Sequence, residues 1–291
     1  MTEVTGLADW PVGSRDRDPK GRCGYAGAVP KVRLDALLAE RGLYESRTRA
    51  AAAVLAGEVK LGGDGRRAEK PGQLVPEDIG VDVAEPPQFV SRGGVKLANA
   101  LEGRSLDPRG RRCLDVGAST GGFSDCLLQR GAAEVIALDV AYGELHWRLR
   151  NDPRVHVIER ANARSLRPAD LPYAPDLVVC DVAFISLTKV LPAVLAAASD
   201  RFDLLALVKP QFEVGRDRVG KGGVVRSAED RRSALIAVGR SIVGGGHAVL
   251  GYASSGLPGP AGNLETFVHA AEAGRPGAVE DLASVAGRIE P

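Results

Sequence analysis

The chain has 291 residues, 44% hydrophobic and 26% charged, a mix that excludes a large disordered, collagen-like or low-complexity protein. Thirty-eight basic residues against 37 acidic ones leave a formal charge of +1, so a nucleic-acid partner must be held by a local patch and not by bulk charge. Apolar runs reach about nine residues where a membrane span needs about 20, and the amino terminus lacks the apolar core of a signal peptide. Cys23, Cys113, Cys126 and Cys180 show no CxxC spacing, so they are read as reduced thiols in a cytoplasmic chain with no metal site.

Residues 1–30 are polar, rich in Gly and Pro and without periodicity, and are expected to be a disordered tail; Val29 is an alternative start of translation. Residues 31–84 read as a small α+β unit. Leu34, Leu37 and Leu38 share a helical face, Gly42 ends that helix, Ser46 caps a second Ala-rich helix, and Gly57 ends it before a strand at Val59–Leu61. Short strands follow at 74–75 and 79–83, and 85–91 is expected to be a linker.

From residue 92 to about 275 continuous apolar runs alternate with helical patterns. Strands are expected at 111–117, 134–140, 155–159, 176–182 and 203–209, and helices at 121–130, 144–150, 186–199 and 228–243. Two late strands, 247–253 and 264–270, have no helix between them. The pattern predicts an α/β, doubly wound, Rossmann-like sheet with an antiparallel last strand, followed by a carboxyl-terminal tail at 276–291.

The stretch DVGASTGGFSD, 115–125, ends a strand in an acid and turns through glycines into a helix, at the sheet edge where open α/β folds bind ligands. A dinucleotide fold would show GxGxxG; here Ser119 occupies the middle position and Asp115 precedes the first glycine. An acid there suits a cationic ligand without phosphate, and S-adenosylmethionine carries an ammonium and a sulfonium. Asp115, Gly117, Ser119, Gly121, Gly122 and Phe123 are therefore the expected cofactor turn. Asp139, 22 residues after Gly117, is expected to accept the ribose hydroxyls, and Asn162 to bond the adenine edge.

Only eight lysines are present, and two stand in unusual places. Lys209 ends the apolar strand DLLALVK, and Lys96 lies in a helix just before the first strand of the large sheet. Asp181 ends another strand and Glu265 lies in the last one. The carboxyl edge of such a sheet can gather these into a square of two ammonium and two carboxylate groups. A ribose 2′-hydroxyl needs a base, and a lysine tuned by burial and by a neighbouring cation can serve; Lys209 is the expected base, with Lys96 and Asp181 orienting it and Glu265 anchoring the lysines.

DVGASTGGF, DVAFISL at 181–187, KPQFE at 209–213 and GKGGVVR at 220–226 resemble the TlyA group of ribosomal-RNA 2′-O-methyltransferases, also filed as haemolysin A-like proteins, and more widely the FtsJ-type methyltransferases. The resemblance covers residues 31 to about 271 and implies a class I methyltransferase fold whose Lys-Asp-Lys-Glu tetrad falls on Lys96, Asp181, Lys209 and Glu265. RLD, SRTRA, AGEVKLGG and EKPGQLV are similar to an S4 RNA-binding domain. The implied substrate is a cytidine ribose in the ribosomal RNA of ribosomal subunits, and the enzyme is expected to be a monomer. Residues 31–90 carry nine basic and ten acidic residues, so the patch must be local, with Arg33, Arg47, Arg49 and Lys60 as its expected members. Arg216, Arg218 and Lys221 in the Gly-rich loop 215–226 are expected to reach phosphates. A small-molecule O-methyltransferase would need no RNA module, and a pore-forming haemolysin would need a membrane-length apolar run.

Overall fold

A computed structural model describes residues 29–83 and 87–289. The expectation of disorder at 1–28 lies outside the described residues; Pro30 is tied down, its carbonyl accepting from the Glu77 amide. The chain divides into two compact units, 1–86 and 87–291.

In the first unit β1 (Lys31–Arg33) leads into α1 (Leu34–Glu40), α2 (Arg47–Ala56), β2 (Val59–Leu61), β3 (Arg66–Arg67), β4 (Leu74–Pro76) and β5 (Val81–Val83). Ser46 caps α2 by accepting from the Arg49 amide, and Gly57 closes it at φ 81°, where a Cβ would run into the Arg67 guanidinium. Leu34, Leu38, Val54, Val59 and Leu61 form its core. β1 pairs antiparallel with β4, and β3, β2 and β5 form a second small sheet. β1 and β3, of three and two residues, are too short to carry a sequence period and were not expected.

The second unit begins with α3 (Arg92–Gly103), followed by β6 (Arg112–Val116), α4 (Gly122–Gln129), β7 (Glu134–Leu138), α5 (Trp147–Arg150), β8 (Val155–Ile158) and β9 (Leu177–Cys180). After these come α6 (Leu191–Ala196), β10 (Asp203–Val208), α7 (Pro210–Glu213), α8 (Ala228–Gly244), β11 (Ala248–Ser254), β12 (Thr266–Ala271) and α9 (Leu282–Ile289). The seven strands lie in the order β11-β12-β10-β9-β6-β7-β8. β6 to β10 run parallel, and β12 enters antiparallel between β10 and β11. Apolar clusters cover both faces of the sheet, which is why its strands read as unbroken apolar runs. The strand order reverses beside β6, and the crevice opens at the carboxyl ends of β6 and β9.

Two expected boundaries move. Residues 87–91 belong to the second unit: Phe89 is buried, and the Val90 amide donates to Asp125 Oδ2 (2.8 Å). The expected tail, 276–291, contains α9, whose Ala286 is fully buried and whose Leu282, Val285 and Ile289 pack on the core. Their i, i+3, i+4, i+7 spacing is a helical signal.

Two buried acids have opposite electrostatics. Burial pushes the Asp203 carboxyl up, but bonds from His269 and Arg111 and the nearby Arg275 win and leave it at about 2. Burial likewise raises Asp115; the Ser124 hydroxyl and amide oppose it, the nearby carboxylates of Asp181 and Asp139 add to it, and the group stands at about 7. Asp203→Asn is expected to lower the melting temperature at neutral pH, with the gap to wild type closing as pH falls from about 4 toward 2, where the native carboxylate is itself protonated. Asp115→Asn should show the reverse sign. The native state binds the extra proton, so wild type loses stability as pH rises from about 4 to 7, and the variant should gain relative to it across that window. Thermal melts of both variants at pH 3, 5 and 8 measure this.

Candidate active site

The four expected catalytic residues come together at the carboxyl edge of the large sheet. Asp181 directly follows β9, and Lys209 directly follows β10 and precedes Pro210 at the start of α7. Glu265, expected inside the last strand, sits just before β12. Because β12 is antiparallel, its first residue Thr266 pairs with Val208, which sets Glu265 beside Lys209 at the same edge. Lys96 arrives on the buried face of α3.

The square resolves into two ion pairs. Lys209 Nζ lies 2.5 Å from Asp181 Oδ1. Lys96 Nζ donates to Glu265 Oε2 at 2.5 Å, with side chains 8% and 1% exposed. All four line one cavity of about 260 Å³, whose lining also includes Ser91, Arg92, Gly93, Phe123 and Pro260. Charges this withdrawn from water are stable only when paired.

The Gly-rich turn forms the boundary of this cavity. Gly117 has φ 83°, and a Cβ there would lie 2.4 Å from the Asp181 carbonyl oxygen, so glycine lets the loops after β6 and β9 touch. A Cβ on Gly122 would strike Ser91 Oγ and crowd the Gly94 amide, so this glycine lets α4 pack against the start of α3. Ser119, at φ 47°, donates its amide to Asp139 Oδ2 (2.7 Å), and Asp139 Oδ1 accepts from the Ala141 amide (2.8 Å).

A second cavity of about 520 Å³ lies beside the first and shares Gly117, Ser119 and Asp181 with it. Leu138, Val182 and Ile185 give it apolar walls, and Asp139 and Asn162 supply polar groups at its margin. An apolar slot with a few placed polar groups fits a nucleoside, and the slot meets the tetrad cavity at Gly117, Ser119 and Asp181. These residues therefore fit S-adenosylmethionine.

Four members of the expected cofactor set, Asp115, Gly121, Gly122 and Phe123, do not line the nucleoside slot. Asp115 is wholly buried and lines neither cavity; Oδ2 accepts from the Ser124 amide and hydroxyl (2.9 and 2.7 Å), so it holds the start of α4. Gly121, at φ 94°, packs against Leu145 and Leu149 away from both cavities. Phe123 packs on Phe267, 5.7 Å between centroids, and faces the tetrad cavity and not the nucleoside slot. Asn162 does line the slot, while its Oδ1 caps the turn at Ala163–Ser165 by accepting from Arg164.

Among the expected RNA-facing cations, Arg33 and Arg47 both reach Asp35, at 2.7 and 3.4 Å, while Arg49 and Lys60 are exposed. Two exposed arginines were missed: Arg67 sits opposite Lys60 in the β2–β3 ladder, with Arg66 next to it. Arg216, Arg218 and Lys221 are exposed in their loop. Phe184 was also missed. It is 92% exposed, at φ 64°, beside the nucleoside slot, with its ring 5.4 Å from that of Phe212. An exposed phenylalanine in a left-handed conformation is uncommon, and nothing in local sequence pattern reveals it. Among the described residues no group of three or more His, Cys, Asp or Glu side chains is placed to hold a metal ion, and no helix is long and apolar enough to cross a membrane.

Residues 89–272 match the FtsJ-like methyltransferase model, and residues 32–78 match the S4 domain. The 16S/23S rRNA (cytidine-2′-O)-methyltransferase TlyA of Mycobacterium tuberculosis is 49% identical over 240 residues, 82% of this chain and 89% of that protein. Hemolysin A of Brachyspira hyodysenteriae is 36% identical over 82% of this chain and 99% of its own. The solved structure of a putative hemolysin from Streptococcus thermophilus superposes with a TM-score of 0.66 at 36% identity, covering 90% of this chain and 96% of that one. With a family model matched over most of its length, this chain belongs to the FtsJ-like methyltransferase family and carries an S4 domain before the methyltransferase domain.

Proposed function

We propose that this protein methylates the ribose 2′-hydroxyl of a cytidine in ribosomal RNA, with S-adenosylmethionine as the donor. The observation that carries this reading is the shared wall of the two cavities: the nucleoside slot meets the tetrad cavity at Gly117, Ser119 and Asp181. The S4 domain and the relationship to an enzyme named for cytidine 2′-O-methylation of 16S and 23S rRNA support RNA as the substrate.

Bound S-adenosylmethionine supplies a methyl group on a sulfonium. Asp139 would exchange its bonds to the Ser119 and Ala141 amides for the cofactor's ribose hydroxyls, and Asn162 would meet the adenine edge. The acceptor ribose would enter the tetrad cavity, where Lys209 in its amine form takes the 2′-hydroxyl proton. Asp181 aims that amine, and Glu265 fixes Lys96, whose charge lies in the same cavity. Most of the rate then comes from holding two reactants in line. Phe184, at the mouth with Phe212 behind it, offers a face on which a base taken out of its stack can rest. Arg49, Lys60, Arg66 and Arg67 in the S4 domain, with Arg216, Arg218 and Lys221 in the catalytic domain, are the proposed phosphate contacts. The deciding experiment incubates the protein with labelled S-adenosylmethionine and each ribosomal subunit and maps the methylated nucleotide; label on a base, or none on either subunit, would overturn the reading.

Lys209→Ala is expected to lower the single-turnover rate by about 10²–10⁴ while cofactor affinity stays within a few fold, because its amine acts on the acceptor. Lys209→Arg should not restore the rate, since a guanidinium stays protonated; near-wild-type turnover by the Arg variant would make Lys209 a charge clamp and not the base. Deleting residues 31–83, while keeping Phe89 and Val90 in place, is expected to leave cofactor binding measurable by calorimetry and to abolish methylation of the subunits.

A further inference from the structure

The β11–β12 connection, residues 255–265, forms one wall of the tetrad cavity through Pro260 and Glu265. Asparagines hold it from two sides. Asn99, three residues after Lys96 on α3, donates from Nδ2 to the Ser255 carbonyl (2.9 Å), and the Ser255 amide donates to the Glu265 carbonyl (3.2 Å). One helix thus grips the Glu265 carboxylate with Lys96 and the backbone at the start of the same connection with Asn99.

Asn263 lies inside the connection, is 1% exposed, and bonds to a different segment. Its Oδ1 accepts from the Val225 amide (2.9 Å) and its Nδ2 donates to the Gly223 carbonyl (2.8 Å). Its backbone carbonyl accepts from the Gly259 amide (2.8 Å), closing a turn that presses Gly259 against Glu265; a Cβ on Gly259 would lie 2.3 Å from Glu265 Oε1. The segment that Asn263 grips is the loop 215–226, which carries Arg216, Arg218, Lys221 and Arg226 against one acid, Asp217. At its tip Gly222 and Gly223 both have positive φ, 79° and 78°, and such residues supply little stiffness of their own.

We infer that Asn263 is a positioning residue that fastens this basic loop to the Glu265 wall, so that an RNA phosphate held by the loop is kept in register with the tetrad cavity. The inference rests on the reading of RNA as substrate. Asparagine suits the task because one planar head offers an acceptor and a donor together. Alanine would leave a buried amide and a buried carbonyl without partners, and aspartate would set a carboxylate against the Gly223 carbonyl.

The test uses the full chain. Asn263→Ala and Asn263→Asp should each raise KM for the ribosomal subunit about tenfold or more, as a small misplacement costs up to about 10² in rate. Cofactor affinity should stay within about twofold, because Asp139 and Asn162 are untouched. Without RNA, trypsin should cut after Arg218 and Lys221 faster in both variants, whereas Asn99→Ala, which loosens the same connection from the α3 side, should leave these cuts at the wild-type rate. In the double variant with Lys221→Ala the losses in KM should combine to less than their product, since both act through one loop. An unchanged KM, fully multiplicative losses, or trypsin sensitivity that rises evenly along the whole chain or equally in Asn99→Ala would overturn the inference. If wild type methylates neither subunit the functional reading fails instead, and the trypsin comparison still decides whether Asn263 fastens the loop.

Discussion

Four charges of both signs sit at one edge of an apolar sheet, and the demand that each be paired organises everything around them. Removing a carboxylate or an ammonium from water costs several kcal/mol after relaxation, recovered only by an opposite charge in good geometry. Lys96 and Glu265 meet this demand almost fully buried, and Lys209 and Asp181 meet it nearer the surface. Bringing both pairs to one edge requires that Glu265, which precedes a strand, reach the level of Asp181 and Lys209, which follow theirs. The antiparallel insertion of β12 between β10 and β11 achieves this, since the beginning of β12 lies where its parallel neighbours end.

The glycine turn solves a related problem of space. Two cavities can share a wall only if the loops after β6 and β9 touch through their backbones, and a single Cβ on Gly117 would force them apart. Behind this wall Asp115 tethers the start of α4 through Ser124. The acid near the end of β6 thus shapes the turn from behind while Asp139, one strand away, faces the slot. Two carboxylates on neighbouring strands differ because Asp115, inside β6, is sealed in, while Asp139, just past the end of β7, is open.

The two units differ in build. The first has a small apolar core and exposed cations on β2 and β3; the second has the large sheet, the cavities and the basic loop. A near-neutral chain can thus still present local clusters of positive charge, and phosphate contacts depend on such clusters and not on the sum of charges.

Much of this was legible in the residue order. Strands buried on both faces appear as unbroken apolar runs, so β6 to β10 stood out, and a lysine or aspartate at the end of such a run is conspicuous, as Lys209 and Asp181 were. Glycines before a helix marked the turn, and Ser46 and Gly57 marked the ends of α2. β1 and β3 were too short to show a period, and α9 was overlooked although Leu282, Val285, Ala286 and Ile289 carry one. The sequence by itself determined which chemical groups the protein has and that the sheet would carry most of them to one edge. Which lysine pairs with which carboxylate, that Asp115 faces inward, that Phe184 stands exposed in a left-handed turn, and that Asn263 reaches back to Gly223 and Val225 were decided only by the tertiary structure. The Lys96–Glu265 and Asn263–Gly223 contacts close 169 and 40 residues of chain, and no local pattern encodes contacts at that range.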